Sequence, residues 1–407
     1  MARLGLDFGT SNTAAGLMAA GRPFVIPLEP EAQTLPTAVF IDFAEREYIY
    51  GTAAARAMMD GQEGRFLRAL KSILGTPLAR ESRAFLNERL TLIEIISRFL
   101  AEIRQRSEKF TGLTIDSALS GRPVHFHSAS PERDAQAEID LRDAYHLAGF
   151  KDVSFLPEPE AAAQAVEGNG RMLIVDIGGG TSDFTLCDRK DGKTQVLASR
   201  GLRIGGTDFD RVLNLNHAMP LLGYGAQIGA EFGSNTHAAP RAMFHDLASW
   251  EKIAFVYDPA LLREVRRWER LAQDPVLFER LAEVLEAHLG HDIAYAIEAG
   301  KITANGADMG QVDLSVIERG LTAEIQNTVM QTALQGYADE IGACALQTLA
   351  DANCSKDSVD MVVFVGGSSL MGVIKDALTR ALPDARQETA EVFTAVVHGL
   401  AIASEAQ

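Results

Sequence analysis

MLIVDIGGGTSDFTL, residues Met172 to Leu186, is an apolar run that ends in Asp176, followed by three glycines and a Thr-Ser pair, after which Asp183 opens a second apolar run. Met172 to Asp176 predicts a buried strand. Glycine permits the backbone angles of a tight turn and lets main-chain N–H groups come close to a ligand. A glycine turn with a carboxylate at each end suits a phosphate accompanied by a divalent cation: N–H groups and hydroxyls hold the anion, carboxylates the metal or its waters. In a dinucleotide fold or a P-loop such a turn feeds a helix. Here it feeds a second strand, Phe184 to Cys187, and then a turn at Asp191-Gly192-Lys193, and no Gly-Lys-Ser/Thr follows the glycines. The stretch therefore predicts a phosphate-binding hairpin.

One such turn is most often purely structural. The same grammar recurs near the N-terminus, however, in Leu4-Gly5-Leu6-Asp7-Phe8-Gly9-Thr10-Ser11-Asn12-Thr13. Two copies, each opening its own half of the chain, predict two phosphate loops facing each other across a cleft.

With 407 residues the chain has room for two domains or lobes. An apolar content of 47% and a charged content of 23% are ordinary for a globular protein. A net charge of −17 argues against a nucleic-acid partner. Cys187, Cys344 and Cys354 form no CxxC and suggest neither a metal site nor a disulfide framework, as suits a reducing cytosol. No apolar run approaches the ~18 residues of a membrane span, so no membrane partner is expected. The first strand starts at Leu4, which leaves no room for a signal peptide and points to a cytoplasmic protein.

Residues 4 to 50 read as short strands, with turns at Ala20-Gly21-Arg22-Pro23 and before Ala38 to Ile41. Residues 53 to 74 look helical, ending at Gly75 with Lys71 in the last turn, where a lysine is usually solvent-facing. Thr91 and Glu94 form a capping box for an amphipathic helix. Ala118 to Phe126 reads as a strand, on which His125 and His127 would share a face; without a third ligand a metal pair is disfavoured. Ser130-Pro131-Glu132 opens another helix. Glu158, between Pro157 and Pro159, is either a helix-start acid or a carboxylate held rigidly at a hinge before the helix Glu160 to Val166. Gly205-Gly206-Thr207-Asp208-Phe209-Asp210 is a tight turn into a helix. Residues 214 to 300, broken early by Gly223, Gly225, Gly229 and Gly233, suggest a helix-rich subdomain. Glu298 and Lys301, one turn apart, are by default a surface pair. A second capping box, Ser315 to Glu318, predicts a helix to about Ala352. Met361 to Val365 is a strand followed by Gly366-Gly367-Ser368-Ser369 and a helix to about Leu382, a second place where a nucleotide could approach backbone. A last helix begins near Glu391.

In this order the motifs resemble the nucleotide-binding domain of DnaK-type (70-kilodalton heat-shock) chaperones, within the actin-like ATPase superfamily. The resemblance runs from the first strand almost to the last residue. Asp7 to Asn12, with Gly9, Thr10 and Ser11, resembles the first phosphate loop. Lys71 matches the catalytic lysine segment, and Glu158-Pro159 the hinge acid with its proline. Asp176 to Asp183, with Gly178, Gly179, Gly180 and Thr181, resembles the second phosphate loop. Gly205 and Gly206 are similar to the turn after it, Gly366, Gly367, Ser368 and Leu370 to the adenosine motif, and Glu298 and Lys301, more loosely, to the ribose-side pair.

The resemblance implies an α/β, ribonuclease H-like fold of two lobes around a nucleotide cleft: residues 1–168 plus 391–407 as lobe I, and 169–390 as lobe II with the helix-rich subdomain. It implies ATP or ADP as ligand, with Mg²⁺ held by Asp7 and Asp176 mainly through water. Lys71, Glu158, Asp176 and Asp183 would carry a slow hydrolysis of ATP to ADP and phosphate, with a protein client or co-factor as partner. The chain departs from the family where Leu370 replaces an arginine against adenine, Ile302 stands across that clamp, Phe393 replaces an acid and Glu160 a threonine. These departures bear on adenine affinity and selectivity. The chain stops at Gln407, so no β-rich peptide-binding domain, lid or linker is expected, as in a divergent, stand-alone YegD-like branch. The alternatives are a sugar-type kinase of the same superfamily, with Asp208 as base, an actin-like filament scaffold, and a degenerate nucleotide-binding module.

Overall fold

The computed structural model describes residues 2–30, 32–127, 129–165, 169–190, 193–231, 235–389 and 394–405. Gly233, Phe393, Val166, Glu391 and the Asp191-Gly192 turn lie outside them. Two compact units are present, one of residues 1–206 with 337–407 and the other of residues 207–336. These divisions fall after Gly206 and Gly336.

Two sheets of the same topology organise the first unit. In the N-terminal sheet, Ala2–Phe8 pairs antiparallel with Asn12–Ala19, which pairs with Arg22–Ile26. On its other side Ala2–Phe8 pairs parallel with Ile115–Arg122, which pairs with Asp152–Pro157. The central sheet repeats this plan. Gly170–Ile177 pairs antiparallel with Ser182–Lys190 and that strand with Lys193–Leu202, while Met361–Val365 and then Arg386–Thr389 add parallel on the other side. The duplicated sequence grammar is thus a duplicated strand–turn–strand, each copy opening an equivalent sheet. Met361–Val365 (MVVFV) is buried at every position, as a parallel strand covered on both faces must be.

Two helices join the sheets into one core. Glu158–Ala165 and Ala395–Glu405 contribute Ala161, Ala162, Ala163, Ala395, Val396 and Leu400 to a cluster that also holds Leu119 of the first sheet and Met172, Ile174 and Val363 of the second. The approach is close because small residues line it. Gly5 and Gly16 are register partners. A Cβ on Gly5 would lie 2.8 Å from the Ala401 nitrogen, and one on Gly16 3.1 Å from Val397. A Cβ on Gly399 would run into the carbonyl oxygen of Ala161.

Most elements lie where the sequence puts them. The Thr91/Glu94 capping box opens the helix Leu92–Thr111, and Ser130 caps Pro131–Leu147. Three expectations need correction. Residues 53–74 are not one helix but a helix (Thr52–Met59), a strand (Gly64–Arg68) and a 3₁₀ turn (Leu70–Ile73). Gly61 at φ +68° ends the helix turn, and Gly64 lies where a side chain would collide with Phe40, so the segment pairs with Ala38–Asp42 instead. The Ser315–Glu318 capping box does not start a helix. It lies in the turn between Met309–Asp313 and Thr322–Gln326, with Ser315 N–H donating to Asp313 at 2.9 Å, and the helix begins at Asn327. The strand expected to reach Phe126 stops at Arg122, before Pro123.

The second unit, 207–336, holds most of the helix-rich segment: Arg241–Leu247, Pro259–Leu271, Pro275–Glu286 and Gly290–Gly306, with two short hairpins.

Replacing Gly399 by valine should destabilise the protein by ~1–3 kcal/mol or more, since the helix backbones have no slack at this crossing. Urea unfolding is the test, and an unchanged midpoint would show that the crossing is not tightly constrained.

Candidate functional site

The two glycine turns lie face to face within the first unit. In the N-terminal turn a Cβ at Gly9 would strike the carbonyl of Asn12, so only glycine closes it. Ser11 O accepts from Thr37 N–H at 2.9 Å, and the hydroxyls of Thr13 and Thr37 bond at 2.8 Å, which fixes the turn against the chain beyond it. In the central turn Gly178 N–H donates to Thr181 O, and Gly206 N–H to Gly178 O, each at 3.0 Å. A Cβ on Gly179 would lie 2.6 Å from Ser11 Oγ, and one on Gly180 3.2 Å from Thr10 Oγ1. Gly205 backs onto Gly179, where a Cβ would lie 2.6 Å from its carbonyl. The glycines thus let two turns and a third backbone segment stack where side chains would hold them apart.

Behind the central turn lies the Gly366–Leu370 segment. Gly366, at φ +79°, passes so close to Asp176 that a Cβ would stand 2.7 Å from Oδ1. Gly367–Leu370 forms a 3₁₀ turn. Ser368 Oγ occupies the space that a side chain on Gly206 would need. Gly205, Gly206, Gly366, Gly367 and Ser368, far apart in sequence, are thereby gathered at one end of the central hairpin.

Four carboxylates and one lysine occupy the adjoining interior. Asp7 ends the first strand of one sheet, and Asp176 the first strand of the other. Asp183 is the register partner of Asp176 and accepts from Val124 N–H at 2.6 Å. Glu158 begins its helix beside Gly121, where a Cβ would be 3.1 Å from Glu158 Cγ. Its carboxylate forms a buried ion pair with Lys71. Lys71 is only 6% exposed, which overturns the solvent-facing reading of that lysine. The pair also decides between the two readings of Glu158: the acid faces inward.

Burial, then the charge of Glu158, pushes Asp7 up to about 7. The same two causes in the same order push Asp183 up to about 8, although the Val124 N–H and Lys71 oppose them. Burial and the surrounding acids, Glu158 first, hold Asp176 well above the usual carboxylate range. Burial disfavours the charge on Lys71, but Glu158 and Asp7 outweigh it and keep the amine above its ordinary value. Four carboxylates around one ammonium form a site short of positive charge.

Hard oxygen donors with a deficit of cationic charge fit Mg²⁺. Among the described residues no three His, Cys, Asp or Glu side chains are placed to hold an ion directly.

The remaining sequence candidates divide. His125 Nδ1 faces Asp134 at 3.0 Å, and His127 Nε2 the carbonyl of Leu74 at 2.7 Å, so the two histidines have separate partners and are not a metal pair. In the second unit Lys301 is not half of a surface pair. It is buried, with Nζ 2.6 Å from Asp210, whose other oxygen accepts from Trp250 Nε1 at 3.1 Å. Asp208 pairs with Arg211 at 3.5 Å. Leu370 and Ile302 each present apolar surface to solvent.

Sequence reasoning missed a small recess beside the loops, with a free volume of about 10 Å³ and partly open to solvent. Thr10, Lys71, Ser72, Gly180, Thr181 and Arg203 are among its lining residues. Arg203, two residues before the Gly205-Gly206 turn, donates to Ser72 O at 2.8 Å. Proximity to that turn is the one signal that could have singled it out.

The raised aspartates give stability a sign. An acid whose folded pKa is raised stabilises fully below its unfolded value, and that contribution is lost as pH rises through the folded value. His127 and His217 are held below the ordinary histidine value by burial and oppose this only until their unfolded forms lose their protons, at about pH 7. Ligand-free protein should therefore lose stability as pH rises from about 7 to 8, with the slope fading above that, and Asp183→Asn should flatten the slope. Thermal melts across that range test this; a stability that rises with pH would refute the assignment.

Comparison with known protein families matches residues 3–230 to the family described as Hsp70 protein. The match spans more than half of the chain and includes both glycine turns, Lys71, Glu158 and the Gly205-Gly206 turn. The mixed α/β architecture is that of the actin-like ATPases. Family and fold agree, and the chain belongs to the Hsp70 family.

Proposed function

We propose that this chain binds ATP with Mg²⁺, hydrolyses it slowly, and uses the change of nucleotide state to regulate a protein partner. The observation that carries the reading is the buried Lys71–Glu158 pair, set among Asp7, Asp176 and Asp183 beside two apposed glycine turns. An isolated structural hairpin has no need of such a costly cluster.

Main-chain N–H groups of Thr10, Ser11, Gly179 and Gly180, with the Thr181 hydroxyl, hold the β- and γ-phosphates. Asp7 and Asp176 hold the cation through its waters, and when bound it supplies charge neutralisation on the phosphates. Lys71, kept protonated by its acid neighbours, stabilises charge on the γ-phosphate. Glu158, oriented by Lys71, accepts a hydrogen bond from the attacking water. Asp183, fixed by the Val124 N–H, shares the same water network. Phosphoryl transfer depends mainly on positioning and charge stabilisation, so a site without one dominant base turns over slowly. Gly205, Gly206, Gly366, Gly367 and Ser368 form the backbone surface toward the nucleoside, with Leu370 an apolar edge. Glu298 and Lys301 belong to the second unit, where Asp210 holds Lys301 in place.

Loss of the γ-phosphate removes the ligand that both turns share. The turns then separate, and the Gly399–Ala161 crossing is where the sheets pivot. A protein partner reads the two states. Mg²⁺ use, a cytoplasmic location and the two-lobe division at 168 and 391 belong to this reading.

Calorimetric titration with ATP and Mg²⁺ should show binding by wild type and by Lys71→Ala within about tenfold of each other, while phosphate release falls by a factor on the order of 10² or more in the variant. Absence of both ATP and ADP binding by nucleotide-free wild type would sink the reading.

A further inference from the structure

We infer that Arg203 is the residue that retains inorganic phosphate after hydrolysis, so that Arg203 governs the lifetime of the product state. The inference rests on the nucleotide reading above. It starts from the recess, whose wall includes Thr10 from one glycine turn, Gly180 and Thr181 from the other, and the side chains of Lys71 and Arg203. A γ-phosphate held by those turns faces this recess when its bond to the nucleotide breaks.

The two cations on the wall are not equivalent. Lys71 is buried and bound to Glu158, at the floor. Arg203 is exposed to solvent, at the rim. Its Nη2 donates to the carbonyl of Ser72, the residue next to Lys71. On its other side the chain is fixed by Ser182 Oγ, which donates to Ile204 O at 2.8 Å. Arg203 thereby links the lysine turn to the root of the central hairpin. A guanidinium carries its donors in a planar fork, and so can hold a carbonyl and an oxyanion together. His127, also on the wall, directs Nε2–H to Leu74 O. Burial holds His127 below the ordinary histidine value, so it brings no charge to the anion. Phosphate leaving toward solvent passes Lys71 and then Arg203.

The test titrates inorganic phosphate into wild type, Arg203→Ala and Arg203→Lys by calorimetry, each with Mg²⁺, with and without ADP, alongside single-turnover phosphate release. ADP affinity should be the same for all three, which also reports folding. Phosphate binding should weaken about tenfold or more in Arg203→Ala and release should accelerate correspondingly, with Arg203→Lys intermediate because an ammonium lacks the fork. Phosphate affinity and release equal to wild type in Arg203→Ala, or no phosphate binding by wild type, would overturn the inference while leaving ADP binding to speak for the nucleotide reading. Arg203-dependent phosphate binding without ADP binding would support Arg203 as the anion residue and remove the nucleotide.

Discussion

The helix Ala395–Glu405 lies on a floor of two paired glycines, Gly5 and Gly16, and meets the Glu158–Ala165 helix where Gly399 faces the Ala161 carbonyl. Everything at the site depends on how close that packing is. The Glu158 helix begins with the acid that binds Lys71, and its next turn supplies Ala161, Ala162 and Ala163 to the shared core. A larger residue at Gly399 would displace that helix, and the first thing displaced with it would be Glu158. Tight backbone packing and interior charge are therefore one constraint seen from its two ends.

The charges make that position demanding. Burial alone would favour the protonated forms of Asp7, Asp176 and Asp183, and burial alone would favour the neutral form of Lys71. The mutual field keeps the lysine charged, while burial first and the neighbouring acids second raise all three aspartates, Asp7 to about 7 and Asp183 to about 8. On the proposed nucleotide reading, cation binding and proton release are linked, so nucleotide affinity would depend on pH through these same groups.

What the sequence made legible was local and repeated. Asp7-Phe8-Gly9-Thr10 and Asp176 to Thr181 could be read because each needs only adjacent residues to form a turn, and the second copy raised the weight of the first. The capping boxes divide the same way. Thr91/Glu94 precedes a true amphipathic run, whereas Ser315/Glu318 has the same letters inside a hairpin turn held by Asp313 and followed by Gly320 at φ +81°. Positions set by distant chain were hidden. Lys71 reads as a helix-surface lysine because its partner, Glu158, is 87 residues away. Lys301 reads as half of a surface pair because its partner, Asp210, is 91 residues distant. Arg203 carried no motif at all.

The division of labour within the first unit follows from its duplication. Equivalent strands in equivalent sheets deliver equivalent parts, a glycine turn and an aspartate each, and on the proposed reading the two halves form a symmetric cradle for an anion and its cation. Symmetry alone gives no direction to a reaction. The asymmetric parts supply it: the 3₁₀ turn that carries Lys71, inserted after the first sheet's opening meander; Glu158, after that sheet's last strand; and Arg203, after the central meander. Lys71 and Glu158 both belong to the N-terminal half, while Asp183 and Arg203 come from the central half. A cradle shared by two sheets and completed by residues from both is sensitive to their separation, and this is the property that a nucleotide-dependent switch requires.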